Sequence, residues 1–534
     1  MTKEPLKKKQ AQSVIRSTLA MAGGTFSSRI LGFLRDAIMM ALFPRSVTDA
    51  FVVAFRLPNI FRRLLGEGAL SPSFIPIYVE ARSRSEAESK KLANAVFSVA
   101  FAVSTLITVA CFVYMNQIMG YLIGAPQGLA VDSYKVAQTV YLSRIMIFYL
   151  ILVSTYAFHM AVANTHGHFF IPAIGPTLFN FGLIVFTLTR VELGAYPGST
   201  QSMGVIFGGV LQVGVVVWLL VREKCLPRLT WQWRVPGVAR VFTNMVPGLF
   251  GLGVFQIMTL VNTKFAASLS EGAQTYIYAA DRILELPQSL IAVSLGAALL
   301  PRFSELANGS DRGKFLREAN QAVRTLLYLS LPAAIGMYFL SVGLTQVLFM
   351  RGAVTAHDAL QIGSVVEIYA VLMLFSSLSR VTAPAFYALK NMWLPAAVAL
   401  FVLAVHITIG PKLVALYGLT GLAYATSASS ILNIVLLQVF FHRRIGALGY
   451  LVIFKSVLRL LPGLALLAAV CTYGYPWLLE LGEGLLTSGL VRIGALGTVI
   501  GVGMLVYFSA TVLCGSSEAK QVAGMLSRRF KRAA

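Results

Sequence analysis

Apolar runs of about 20 residues recur along almost the whole of this 534-residue chain, separated by short polar stretches. A helix rising 1.5 Å per residue needs roughly that length to cross ~30 Å of hydrocarbon. A barrel would alternate polar and apolar residues, so runs this continuous leave helices as the spanning form. Composition agrees: 57% of residues are hydrophobic and 12% charged, with a mean hydropathy of +0.75. A soluble domain could not cover that much apolar surface. The expected fold class is an all-α polytopic membrane protein.

The runs place helices one and two at 16–43 and 49–80, both interrupted by charge. Helices three to six fall at 93–122, 136–163, 169–189 and 203–222. A polar stretch with Trp231, Trp233 and Arg234 leads to helices seven and eight at 238–269 and 273–303. Helices nine to twelve follow at 318–349, 358–389, 393–415 and 418–441, and a last pair at 451–473 and 487–513. That makes about fourteen. Leu57-Pro58, Gly68-Ala69-Leu70 and Pro76 in helix two are echoed by Leu286-Pro287, Gly296-Ala297-Ala298 and Pro301 in helix eight. This loose repeat, with spacings four residues apart, suits two six-helix lobes at 16–222 and 238–441 followed by the pair at 451–513. Basic tails at 1–15 and 514–534 flank them.

The net charge of +23 reflects topology. Loops after even-numbered helices carry Arg82, Arg84, Lys90 and Lys91, then Arg222, Lys224, Arg228, Arg234 and Arg240. Arg302, Arg312, Lys314, Arg317, Lys390, Arg443 and Arg444 continue the pattern. Opposite loops are nearly bare, with Arg45, Arg190, Arg351 and Lys412 the main exceptions. The positive-inside bias therefore puts both termini in the cytoplasm and leaves no basic surplus for nucleic acid. Cys111, Cys225, Cys471 and Cys514 lie far apart, so neither a disulfide framework nor a metal site is expected. No cleavable signal peptide is read at the basic N-terminus.

Some residues do not belong in hydrocarbon. Helix one carries Arg29, Arg35 and Asp36; helix two carries Asp49, Arg56, Arg62, Arg63 and Glu67; helix eight carries Asp281, Arg282 and Glu285. Each ionisable group inside a membrane helix costs a few kcal/mol, so each normally meets a cavity or a partner. Arg63 and Glu67, like Asp281 and Glu285, are four apart and share a face. Arg29 and Arg35 are six apart, roughly 120° around the axis, so both can border one wide cavity. Gly66, Gly68, Pro58 and Pro72 allow helix two to bend. Arginine pairs bidentately with phosphate and stays charged at low dielectric, so Arg29, Arg35, Arg62 and Arg282 together suit a diphosphate. The competing reading, interhelical salt bridging, applies more easily to single residues than to the set. Arg45 and Arg63 read as anchors to lipid phosphate or loops.

Arg144, Lys264, Glu367 and Arg380 read equally well as pathway residues or snorkelling helix ends, and their role stays open. His159 and His406 read as hydrogen-bonded core residues, and Gln256 and Asn262 either contribute to a cavity or ion site or form interhelical hydrogen bonds. There is no phosphate-binding Gly-x-x-x-x-Gly-Lys loop, H-E-x-x-H pair or triad, so no enzyme activity, metal or cofactor is expected. An ion gradient (Na+ or H+) or the membrane potential is left as the driver.

At these same residues the chain resembles the MurJ (MviN) family of lipid II flippases, within the multidrug/oligosaccharidyl-lipid/polysaccharide exporter superfamily. The text that carries the resemblance is Ser28-Arg29-Ile30-Leu31-Gly32-Phe33, Arg35-Asp36-Ala37, Thr48-Asp49-Ala50-Phe51 and Ala54-Phe55-Arg56-Leu57-Pro58-Asn59. It continues through Arg62-Arg63, Glu67-Gly68-Ala69, Tyr278, Ala280-Asp281-Arg282, Glu285-Leu286-Pro287, Leu295-Gly296 and Leu300-Pro301, with Ala383-Pro384 and Phe386-Tyr387 on helix ten. The resemblance implies an inner-membrane carrier that moves undecaprenyl-diphosphate-linked disaccharide-pentapeptide (lipid II) to the periplasmic leaflet by alternating access, for peptidoglycan biosynthesis. It implies a diphosphate site at Arg29, Arg35, Arg62 and Arg282. It further implies cavity or gating roles for Asp36, Asp49, Arg56, Glu67, Asp281 and Glu285, and a lipid-tail groove at helices thirteen and fourteen. Arg56 departs from the Lys of some relatives, keeping charge but not geometry. Membrane lipids and cell-wall synthesis proteins are the further partners implied. The rival readings are a flippase for another undecaprenyl-diphosphate-linked glycan of O-antigen or capsule type, a multidrug/cation antiporter and a membrane enzyme. An antiporter site should be lined by acids and aromatics, which the helix-one arginines oppose.

Overall fold

The structure, a computed structural model, describes residues 24, 27–64, 70–124, 133–189, 191–307, 311–482, 488–521 and 524. Among them the regular structure is entirely helical. Contacts divide the chain into two compact units, 1–275 and 276–534, with the boundary inside one helix.

In the first unit α1 spans 27–42 and α2 runs Arg45–Phe61. A π-type turn at 62–64 follows, one turn after Pro58, whose missing N–H and ring disrupt the α-helical ladder. The next described helix is α3 (Leu70–Arg84). Glu67 lies outside the described residues. The expected helix three is divided at Tyr114 into α4 (Glu86–Val113) and α5 (Met115–Ile123). Helix four likewise is α6 (Ser133–Met146) and α7 (Tyr149–Thr165). Then come α8 (Phe170–Leu188), α9 (Ser199–Arg222) and α10 (Val238–Ala267). Ser85 caps α4 by accepting from the Ala87 amide at 3.2 Å, with Glu86 and Glu88 in the first turn favouring the positive helix end. α8 packs closely on α9: a methyl on Gly208 would lie 2.5 Å from the Phe179 carbonyl oxygen. α10 packs on α3 and α5 of this unit.

The second unit takes most of α11 (Ala273–Gln288), a π-helical turn at Ser289–Val293 and α12 (Ser294–Ala307). This π turn follows Pro287, as the one at 62–64 follows Pro58. α13 (Arg312–Phe339) and α14 (Ser341–Phe349) form helix nine, and α15 (Ala356–Ala388) opens with a capping box between Thr355 and Asp358. α16 (Trp393–Arg444) contains a break at Gly418, where φ 59° and ψ −128° suit glycine alone. α17 (Tyr450–Ala469), a π turn at Val470–Gly474, α18 (Tyr475–Gly482) and α19 (Ser488–Leu513) complete the unit. α17 packs on α19 and on α13.

Nine described helices are long and apolar enough to cross a membrane, or ten if α10 counts as one bent span. Their outer faces present bare Leu, Met, Phe and Val, such as Met504 and Leu505 on α19. Lipid is the solvent that tolerates such faces, and the protein is a polytopic all-α membrane protein.

Candidate functional site

The charges that sequence reading singled out fall into separate, locally built arrangements. On α1, Arg35 is 7% exposed and Asp36 1%. The Arg35 Nε donates to Asp36 Oδ1 at 2.8 Å, and Nη2 lies 2.6 Å from the same oxygen. Nη1 donates to Asn180 Oδ1 on α8 at 2.9 Å, while the Asn180 amide nitrogen donates to the Ser28 carbonyl at 2.9 Å. Asn180 thus ties α1 to α8 at two points. The guanidinium carbon also lies 6.0 Å from the centre of the Phe55 ring on α2. An arginine so held gives up its freedom to swing. Arg29, two turns earlier on α1, is exposed.

A second arrangement is built around Asp49 of α2, which is fully buried. Its Oδ1 accepts from the Thr275 backbone amide at 2.9 Å and from the Thr275 hydroxyl at 2.7 Å. Its Oδ2 accepts from the Gly272 amide at 2.8 Å and faces Lys135 Nζ of α6 at 3.5 Å. The amides at 272 and 275 are first-turn donors of α11, so the carboxylate fills the positive end of that helix. Thr48 and Thr275 meet alongside, hydroxyl to hydroxyl, at 3.0 Å. Further along α2, Arg56 is 9% exposed, and Arg62 in the π turn donates from Nε to Asn59 Oδ1 at 3.0 Å. Arg62 and Arg63 are half-buried.

In the second unit, Arg282 on α11 donates from Nη1 to Glu285 Oε2 at 2.6 Å and from Nη2 to the Tyr278 hydroxyl at 3.0 Å. Its guanidinium carbon lies 4.7 Å from the Tyr278 ring centre. Asp281 is half-buried beside them. Two of the four expected diphosphate ligands, Arg35 and Arg282, are therefore each ion-paired to a neighbouring carboxylate. The π turn after Gln288 is braced: the Gln288 side-chain amide donates to Ser376 Oγ at 2.5 Å and accepts from Arg380 Nη2 at 3.2 Å. A methyl on Gly296 would lie 2.8 Å from the Arg380 carbonyl, so α12 and α15 run close together there.

Among the weaker signals, Arg144 lies over Phe112 at 5.4 Å and Lys264 over Tyr121 at 3.5 Å, both cation–π contacts. His159 Nδ1 meets the Thr155 carbonyl at 2.7 Å and His406 Nδ1 meets Ser429 Oγ at 2.9 Å, as hydrogen-bonded core residues do. No group of three or more His, Cys, Asp or Glu that could hold a metal occurs among the described residues.

Sequence reading missed Asn180, Lys135, Thr275 and Gln288. Asn180 left a signal, a lone amide inside the apolar run of α8. Thr275 left none, because its role depends on a partner 226 residues away.

A family model described as "Lipid II flippase MurJ" matches residues 38–488. A curated relative from Bdellovibrio bacteriovorus, "Probable lipid II flippase MurJ", is 37% identical over 518 residues, covering 96% of this chain and 97% of its own. Among solved structures, one titled "Lipid II flippase MurJ, inward closed conformation" superposes with a TM-score of 0.73 at 22% identity, covering 92% of this chain and all of that one. A multidrug resistance MATE family transporter in an inward-facing conformation gives a TM-score of 0.68 at 12% identity, covering 79% of this chain and 96% of that one. The fold is thus common to flippase and drug exporter, while the sequence match lies with the flippases.

Proposed function

The chain belongs to the MurJ family of lipid II flippases, and on that premise we propose that its buried charges carry the diphosphate headgroup of lipid II across the inner membrane. The protein is a transporter and not an enzyme, and it serves peptidoglycan biosynthesis. The observation that carries this reading is the family match through residues 38–488, which takes in the intramembrane arginines Arg56, Arg62 and Arg282.

A diphosphate cannot enter hydrocarbon bare, and fixed positive charge must replace its water. Arg29, Arg35, Arg62 and Arg282 are the proposed headgroup ligands, with Asp36 and Glu285 holding two of them ready. A phosphate that displaces the Glu285 carboxylate from Arg282 exchanges one charge-assisted hydrogen bond for another, which keeps binding weak enough for release. Asp49, Arg56, Glu67 and Asp281 have gating or cavity roles in this account. Asp49 holds the start of α11, so releasing its carboxylate frees that helix to move when the carrier changes state. The π turns in helices two and eight are the points where each bends.

Fourteen crossings, in two six-helix lobes and a final pair, complete the proposal. The crossings not already counted by length and hydropathy are those that carry the charges: α1, α2 with α3, and α11 with α12. The 52 residues of α16 would run about 78 Å as one straight helix, too long for one crossing, and broken at Gly418 they count as two. An even count with basic loops on one side puts both termini in the cytoplasm. α17 and α19 form the groove for the lipid tail. No nucleotide-binding motif is present in the sequence, so an ion gradient or the membrane potential resets the carrier.

Binding of purified protein to lipid II, compared with an undecaprenyl-diphosphate O-antigen unit, tests substrate choice. Preference for lipid II is expected; equal or reversed preference overturns the assignment.

A further inference from the structure

The 15-residue loop joining α9 to α10, at 223–237, has no part in the transport account, yet it is built with care. Its backbone is tied to α4 at two points: the Arg228 amide donates to Asn94 Oδ1 and the Thr230 amide to Ser98 Oγ, both at 2.8 Å. Pro227 is buried, and Leu226 and Val235 pack on the core of the first unit. The Trp233 indole donates to the Thr230 carbonyl at 2.9 Å, and its ring stacks on Trp231 at 6.0 Å.

This rigid turn presents Trp231 at 91% exposure, with Leu229 at 59%. A tryptophan held so firmly and so bare is costly in water. Its depth says what covers it. Asn94 and Ser98 stand one turn apart near the start of the apolar run of α4, which begins about Leu92. The loop therefore lies where headgroups give way to acyl chains, the level at which Trp concentrates. Arg222, stacked 5.9 Å over the exposed Trp218, marks the same level at the end of α9.

Charge identifies the occupant. Segment 222–240 holds five basic residues, and its single acid, Glu223, faces His168 at 3.6 Å. Arg240 is paired with Glu80 at 3.0 Å, whereas Arg228 and Arg234 point outward beside the tryptophans. Arginine flanking an interfacial aromatic recognises lipid phosphate on an anionic leaflet.

We propose that loop 223–237 is a binding site for anionic phospholipid headgroups. Trp231 and Trp233 seat in the headgroup–acyl boundary, and Arg228 and Arg234 hold the phosphates. The site is separate from the transport charges, and it fixes the depth of the first unit in the leaflet.

The test uses the full chain in vesicles of phosphatidylcholine, alone or mixed with phosphatidylglycerol. Tryptophan fluorescence is read against lipid brominated high on its acyl chains and against aqueous iodide, in the unaltered protein and in Trp231→Phe. The difference between the two proteins should be quenched by brominated lipid and shielded from iodide. Phosphatidylglycerol should also raise the Tm of the unaltered protein, with that rise lost in Arg228→Gln/Arg234→Gln. A Trp231 signal quenched by iodide and blind to brominated lipid overturns the proposal and makes the loop a surface for a soluble partner. A phosphatidylglycerol response unchanged in the double variant overturns the headgroup site.

Discussion

Asp49 and Thr275 meet through two hydrogen bonds to a single carboxylate oxygen, one from the Thr275 amide at 2.9 Å and one from its hydroxyl at 2.7 Å. The carboxylate is fully buried and neutralises the first-turn donors of α11, so charge matters as much as shape. Asp49→Asn keeps the shape, loses the charge and turns an amide group toward donors. A stability loss of about 2–4 kcal/mol and loss of flipping are expected. Thr275→Val removes only the hydroxyl bond and should cost about 1 kcal/mol. Thermal unfolding in detergent and rescue of a depletion strain check both.

Arg29 and Arg35 should separate function from folding. Arg35→Ala takes the guanidinium from buried Asp36, a loss of about 3–5 kcal/mol, so it should lower both Tm and flipping. Arg29 is exposed, and Arg29→Ala should leave stability within about 0.5 kcal/mol while abolishing flipping. Normal growth supported by Arg29→Ala, at normal membrane level, would remove it from the headgroup site.

Gly208→Ala probes the α8–α9 contact. Its methyl would lie 2.5 Å from the Phe179 carbonyl oxygen, and backbone cannot rotate away. The helices must separate, at about 1–3 kcal/mol. Because Asn180 is next to Phe179, the shift should also loosen Arg35. Unfolding measurements, with and without Asn180→Ala, should show the two changes to be non-additive.

Glu518 gives a pH-dependent anchor beyond the last span. Burial alone would raise its carboxyl, but its own backbone amide, the Ser516 hydroxyl and Arg324 outweigh that and hold it below the usual range. Arg324 Nε on α13 lies 2.9 Å from Glu518 Oε1. A depressed carboxylate contributes stability that is complete above its unfolded value of about 4.3 and disappears as pH falls through the lower folded value. Hydrogen-exchange protection at 516–521, taken relative to the intrinsic rate at each pH, should therefore be high near neutral pH and fall in acid. In Glu518→Gln the protection should be low throughout.

Much of this was legible in the sequence because membrane helices declare themselves through length and hydropathy. The π turn at 62–64 falls where Pro58 and the glycines near position 66 were expected to let helix two bend, whereas the π turn at Ser289–Val293, just after Pro287, was not read from the sequence. What local pattern could not supply was partnership. Arg35 and Asp36 are adjacent in sequence, so their pairing was open to view, but Asn180 is 145 residues away. The grip of Asp49 on α11 was hidden likewise, since backbone amides carry no sequence signature. Sequence spacing put Asp281 and Glu285 on one face, and the structure adds that Glu285 pairs with Arg282, three residues away.

The central claim, that this chain moves lipid II between leaflets, is tested most directly by depleting the protein and measuring how lipid II is distributed across the inner membrane. The account predicts that lipid II accumulates in the cytoplasmic leaflet and that the unaltered protein, but not Arg29→Ala, clears it. A leaflet distribution unchanged by depletion would contradict the account.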